Sequence, residues 1–326
     1  MQSGPPVSAN RPALVDPHVL GTICGLFSAV VYTGANGFLR ALESCDPVWV
    51  SAIKATPTTL IMIPVVVALA LRGQKVLPTL PIFAMTIAGG MAGQLGGNIS
   101  FQWALGQIGL ALTVPLSLGG MIVAAAIMGR VFLYEPVTPK VVVALGLLLA
   151  AIAVLSYGAG EAGRFMLNEQ VSVWRVALGV AAACLSGTAY AVLNVIMRYC
   201  IMRGAPMPTM LLTVSVVGLL SLGFLAWLRI GQAGILATTP GELGLMLAAG
   251  LCNTVAFVSL TKSLQLTSVV YVNALSAIQA MLAALVGVFV FQEKLTSGLA
   301  IGVALTIGGL MALANAHRAI RAVGEA

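Results

Sequence analysis

The chain is 326 residues long, 60% hydrophobic and only 8% charged, with a formal net charge of +7. Apolar runs of membrane-spanning length recur from Val19 to Asn315, which excludes a soluble globular protein and indicates an integral membrane protein. The basic residues fall mainly in short segments between those runs, so the positive charge speaks for membrane topology rather than nucleic-acid binding.

Residues 1–17, rich in proline and polar side chains, read as a disordered tail without the basic start and short apolar core of a cleaved signal. A helix needs about 20 apolar residues to cross the hydrocarbon, and ten such runs follow. They lie near 19–39, 48–71, 80–103, 109–133, 139–157, 173–197, 208–228, 241–263, 268–291 and 297–315. The segments between them, such as 72–79, 158–172 and 229–240, are too short for a separate domain. The predicted fold class is therefore an all-α integral membrane protein of ten transmembrane helices. A first set of five occupies 18–157, a connecting loop 158–172, a second set 173–316 and a tail 317–326. Cys24, Cys45, Cys184, Cys200 and Cys252 lack paired spacing, which points to neither disulfides nor a metal site.

With the N-terminus inside, ten basic residues fall in inner segments and five in outer ones, leaving Lys54 within the second span. That bias predicts a multi-pass protein of the cytoplasmic membrane with both termini in the cytoplasm.

A shift of 158 residues lays the first half on the second. Leu20, Gly21, Ser28, Tyr32, Asn36 and Arg40 fall on Leu178, Gly179, Ser186, Tyr190, Asn194 and Arg198, all identical pairs. The same shift pairs Ala125, Ala126, Gly129, Glu135 and Thr138 with Ala283, Ala284, Gly287, Glu293 and Thr296. Five helices per half make the copies inverted, an arrangement typical of secondary transporters that expose a central site to each side in turn.

Each half also closes its fourth helix alike, GRVFLYEPVT at 129–138 and GVFVFQEKLT at 287–296, with a last apolar helix following. In this the chain resembles the EamA-type transporters of the drug/metabolite transporter superfamily, over nearly its whole length. The resemblance implies a ten-helix inverted-repeat carrier of small polar metabolites, often an exporter of amino acids or related zwitterions. It also implies a basic residue near the position of Lys54, commonly arginine in that family.

Candidate site residues are the polar ones buried in lipid-spanning runs, because such groups are expensive there. Tyr32 and Asn36 share one face of the first helix with Arg40, and Tyr190 and Asn194 share one of the sixth with Arg198. These faces would line a cavity or simply hydrogen-bond neighbouring helices, and the two arginines read as helix-end anchors. Gln94, Asn98 and Gln102 form a polar face on the third helix beside Gly89, Gly93 and Gly97. Lys54 is a charge inside a span, expected to attract a carboxylate or exchange a proton unless it snorkels outward. Asn253, Asn273 and Ser276 complete the set, with Thr254, Thr261 and Gln279 beside them. Glu135 and Glu293 read as anchors at the positive end of the helix that follows each. Gly21, Gly25, Ala29 and Thr33, with Gly179, Ala183, Gly187 and Ala191, form small-residue faces for close helix packing.

No phosphate-binding glycine loop is present, which argues against a self-contained ATP-driven pump. His18 and His317 lie at opposite ends and assemble no catalytic or metal constellation, so no enzyme activity, metal or cofactor is expected. The expected partners are a small-molecule substrate and the lipid bilayer, with a homodimer left open. The competing readings are a lipid-embedded scaffold or subunit and a lipid flippase.

Overall fold

The computed structural model describes residues 16–164, 173–291 and 297–324, and these form helices without a strand. In chain order they are α1 (Pro17–Arg40), α2 (Pro47–Leu71), α3 (Leu80–Met91), a π-helical segment (Ala92–Asn98) and α4 (Ile99–Phe132). Then come α5 (Pro139–Arg164), α6 (Val173–Met202), α7 (Met207–Leu236), α8 (Pro240–Leu266), α9 (Val269–Leu275), α10 (Ile278–Phe291) and α11 (Ser297–Gly324). Among the described residues, six stretches are each long and apolar enough to cross a membrane: α1, α2, Leu112–Phe132 of α4, Trp174–Met202 of α6, α7 and α8. The tail residues 1–15, most of the expected connecting loop, and Glu293 and Lys294 lie outside the described residues.

Helix starts follow local chemistry. Asp16 caps α1 through His18 N (2.9 Å), and Asp46 caps α2 through Val48 N and Trp49 N (both 3.0 Å), each followed by a first-turn proline. Thr239 and Glu242 form a reciprocal capping box on α8.

Several boundaries differ from the sequence reading. The third helix does not end near 103; it passes through the π segment and continues to Gly109, whose φ of +72° breaks the path inside α4. A positive φ suits glycine, which lacks the Cβ that would clash there. The ninth run, expected as one helix over 268–291, divides into α9 and α10. Gln279 N bonds Ser276 O and Ala280 N bonds Ala277 O, so the chain there tightens to i→i+3 bonding. α7 extends beyond 228 and turns at Gly231 (φ +64°). α5 likewise runs into the expected connecting loop.

The connections sort onto two ends of the bundle. At the end carrying residue 16, Thr22 meets the Tyr271 hydroxyl (3.1 Å), Thr209 Oγ1 donates to Val76 O (2.6 Å) and Arg198 Nη1 donates to Leu264 O (2.6 Å). At the other end Arg229 pairs with Asp46 (3.2 Å) and Trp49 Nε1 donates to Thr238 Oγ1 (3.0 Å).

Between the ends, small residues bring backbones together. Gly21 of α1 sits against Leu266 and Thr267 at the end of α8, and Gly179 of α6 against Gln107 and Ile108. At Gly187 of α6 any Cβ would run into the backbone of α4, 2.8 Å from Met121 N and overlapping Ser117 O. The outward face carries exposed apolar side chains such as Leu60, Leu220 and Phe224, as lipid contact requires.

Candidate functional site

Near the middle of the bundle the helices leave a cavity of about 130 Å³. Its polar wall is built by Tyr32 and Asn36 of α1, Lys54 of α2, Gln94 and Asn98 of the π segment, and Tyr190 and Asn194 of α6. Ser117 of α4, Asn253 of α8, Ser276 and Gln279 complete it, and side chains such as Phe101, Leu118, Met121, Phe257 and Leu260 form an apolar wall.

Lys54 is 6% exposed and sits two helical turns into α2, about 10 Å along the axis from its start. It does not snorkel: Nζ points inward and donates to Asn98 Oδ1 at 2.6 Å. The Tyr190 hydroxyl donates to the same oxygen at 2.7 Å. Asn98 Nδ2 donates to Gln94 Oε1, and Gln94 Nε2 donates to Val214 O on α7 (3.2 Å). One hydrogen-bonded chain thus runs from α2 through the π segment to α7, with α6 joined to it. The wide π turn brings both amides to the cavity, and such segments recur at functional sites. Gln94 can lie where it does because residue 218 is glycine, whose missing Cβ would stand 2.6 Å from Gln94 Cδ.

Among the described residues Lys54 is the only charged side chain on the wall, and none of those lining it is acidic. A lysine at the centre of a span costs about 2.5–3.5 kcal/mol on insertion scales, and less nearer its end, whereas a hydrogen bond between membrane helices returns on average about 0.6 kcal/mol. The bond to a neutral amide oxygen does not offset the charge.

Two further contacts brace the site. Thr58 of α2 and Thr254 of α8 share a hydroxyl hydrogen bond (2.8 Å), and Asn194 Nδ2 donates to Asn273 Oδ1 (2.6 Å). Asn273 is fully buried and lies behind the wall rather than on it, with its own Nδ2 unpartnered. The other nine candidate residues share the cavity. Gln102 is buried off the cavity, and Gly89, Gly93 and Gly97 face Ile196, Leu193 and Tyr190 of α6.

Residues 177–315 match the model of the EamA-like transporter family. The match covers 139 of the 326 residues and makes the second half of the chain similar to that family. With six helical stretches long and apolar enough to cross a membrane among its described residues, the chain is a multi-pass membrane protein. Among solved structures, one crystal structure superposes with a TM-score of 0.71 at 18% identity, over 92% of this chain and 98% of that one, a likeness of fold. No curated protein sequence matches this chain significantly.

At the end of the bundle that carries residue 16, Glu135 corrects one expectation. It does not serve the helix after it. Its Oε1 accepts from Val269 N (2.8 Å) and its Oε2 from Val270 N (3.2 Å), capping α9 in the other half of the chain. The reason is geometric: Gly129 lets α4 approach α9 closely, with Val269 and Val270 each 3.0 Å from where its Cβ would stand. Burial raises the Glu135 carboxyl above its ordinary value, against the lowering pull of those two N–H groups and of Arg198, 4.0 Å away. Arg198 in turn caps α8 by donating to Leu264 O and Gln265 O.

Gln279, Ser117 and the aromatic wall were not singled out as site residues by sequence. Gln279 carried a signal, as a second polar side chain one turn from Ser276 in an apolar run. The phenylalanines carried none, since an apolar cavity wall and a lipid-facing surface read alike.

Proposed function

We propose that this EamA-like protein is a secondary carrier of small carboxylate-bearing metabolites, amino acids and related zwitterions among them, working by alternating access between two inverted five-helix halves. The reading places it in the cytoplasmic membrane with both termini inside and takes export as its direction. The observation that carries it is Lys54, a lone cation turned into a central cavity walled by both halves.

The duplication is supported by a pair of contacts. Gly21 against Leu266 becomes Gly179 against Ile108 under the same shift of 158, with the order of the two partners along the chain exchanged. Such an exchange is what oppositely threaded copies produce. The inner location of the termini is supported by the excess of arginine and lysine in the segments at that end.

Purified protein in liposomes tests the reading through counterflow of a panel of amino acids and organic acids. Flux of some member is expected, and inactivity across the panel refutes transport. Single cysteines at positions 36 and 98, placed after replacing the five native ones, are expected to react with water-soluble reagents from either side. A scaffold whose polar faces are filled would leave both inert.

A further inference from the structure

Two donors from different helices, Lys54 Nζ and Tyr190 OH, converge on one neutral oxygen at 2.6 and 2.7 Å. Two hydrogen-bond donors, one of them cationic, aimed at one point form the geometry that holds an anionic oxygen. Asn98 Oδ1 occupies that point and neutralises nothing. Its amide is restrained from behind by Gln94, itself fixed on Val214 O and seated against Gly218.

We propose, on the carrier reading above, that Lys54 and Tyr190 are the carboxylate clamp of the substrate site. The preferred cargo is a small organic monoanion: one carboxylate on a compact apolar body, with no α-ammonium group. The ligand's carboxylate takes the place of Asn98 Oδ1 between the two donors, and its body lies against Phe101, Met121 and Phe257. The volume fits, because 130 Å³ is close to the cavity of about 150 Å³ that admits benzene in another protein.

The charge balance selects against zwitterions. A monoanion beside Lys54 leaves the loaded site neutral, which a low-dielectric membrane interior favours. A zwitterion leaves a net positive charge and brings an ammonium close to Lys54, with no acidic residue on the wall to receive it. Two like charges about 6 Å apart repel strongly enough at an effective dielectric of about 20 to set a preference of at least about tenfold.

Binding of matched ligands to the purified full-length chain, measured by calorimetry, tests this apart from transport. The probes are butyrate, 2-aminobutyrate and butyramide, which are close to benzene in size, share one body and differ in charge. The acid is expected to bind at least about tenfold tighter than either of the others. Lys54→Gln is expected to remove that preference, Lys54→Arg to retain most of it, and Tyr190→Phe to weaken the acid selectively. An amino acid that binds as tightly as the acid, a Lys54→Gln protein that keeps the preference, or binding of none of the three overturns the proposal. The wild-type ligand order decides even where Lys54→Gln fails to fold. Counterflow with the same ligands separates the two readings: ordered binding without flux sinks the carrier alone, and flux with the amino acid preferred sinks the clamp's selectivity alone.

Discussion

Gly218→Ala puts the relay behind Lys54 under direct test. The added methyl would stand 2.6 Å from Gln94 Cδ, 2.7 Å from Nε2 and 2.9 Å from Oε1, so Gln94 must move. Overpacking by one methyl costs about 1–3 kcal/mol. The displaced amide also gives up its bonds to Val214 O and Asn98, at about 0.6 kcal/mol each on average and at most about 1.7. Alanine recovers about 1 kcal/mol of helix propensity over glycine, so with the average bond value the net loss is about 1–3 kcal/mol. The assay is reversible unfolding in detergent of wild type, Gly218→Ala, Gln94→Ala and the double variant. Removing Gln94 removes the overlap, so Gly218→Ala should be neutral or slightly stabilising in that background, and the cycle should return a coupling of at least about 1.5 kcal/mol. Equal penalties in both backgrounds would refute the steric account.

Gly187→Ala meets backbone rather than a side chain, so nothing near it can yield cheaply. It is expected to cost more than Gly218→Ala and to reduce the folded yield on size exclusion, whereas Gly223→Ala, with open space around it, should be harmless; similar yields would contradict the α4–α6 contact. Glu135→Gln tests the cap on α9 through pH. The raised carboxyl value means that the folded chain holds this proton more tightly than the unfolded one. The resulting stability is fully present below the ordinary glutamate value, about 4.3, and is lost as pH rises through the folded value. The Tm advantage of wild type over Glu135→Gln should therefore shrink with rising pH in the acidic range, and a pH-independent difference would count against burial as the cause.

Much of this site was legible because polar residues in lipid-spanning runs are costly and therefore few. Tyr32, Asn36, Lys54, Asn98, Tyr190 and Asn194 stood out on that ground, and all line one cavity. Asn273 satisfied the same rule yet sits behind the wall, since a buried amide hydrogen-bonded to another amide looks the same in sequence as one facing a ligand. The destination of Glu135 was not legible either. A carboxylate before a helix start points to the nearest positive helix end along the chain, and only the approach of α4 to α9 brings a more distant one within reach. Helix breaks were legible in part: the gap left between the runs ending at 103 and beginning at 109 adjoins the turn at Gly109, whereas α9 and α10 divide inside the single apolar run 268–291, where no change in composition marks the break.

The duplicated and the unduplicated residues divide the work. Tyr32 with Tyr190 and Asn36 with Asn194 recur under the shift of 158 and occupy the cavity wall as pairs, as does the small-residue face carrying Gly21 and Gly179. Lys54 has Leu212 as its mate, Asn98 has Ala256 and Gln94 has Cys252, so the charged corner exists once. Repeated elements suit a mechanism in which two states exchange roles, because equivalent contacts keep the states close in free energy. A single cargo with one charged end requires the opposite, a wall with a single charged end. The one cation on the described wall and its amide relay stand where the symmetry is broken, so the carrier proposed above would concentrate its binding specificity between α2, the π segment and α6.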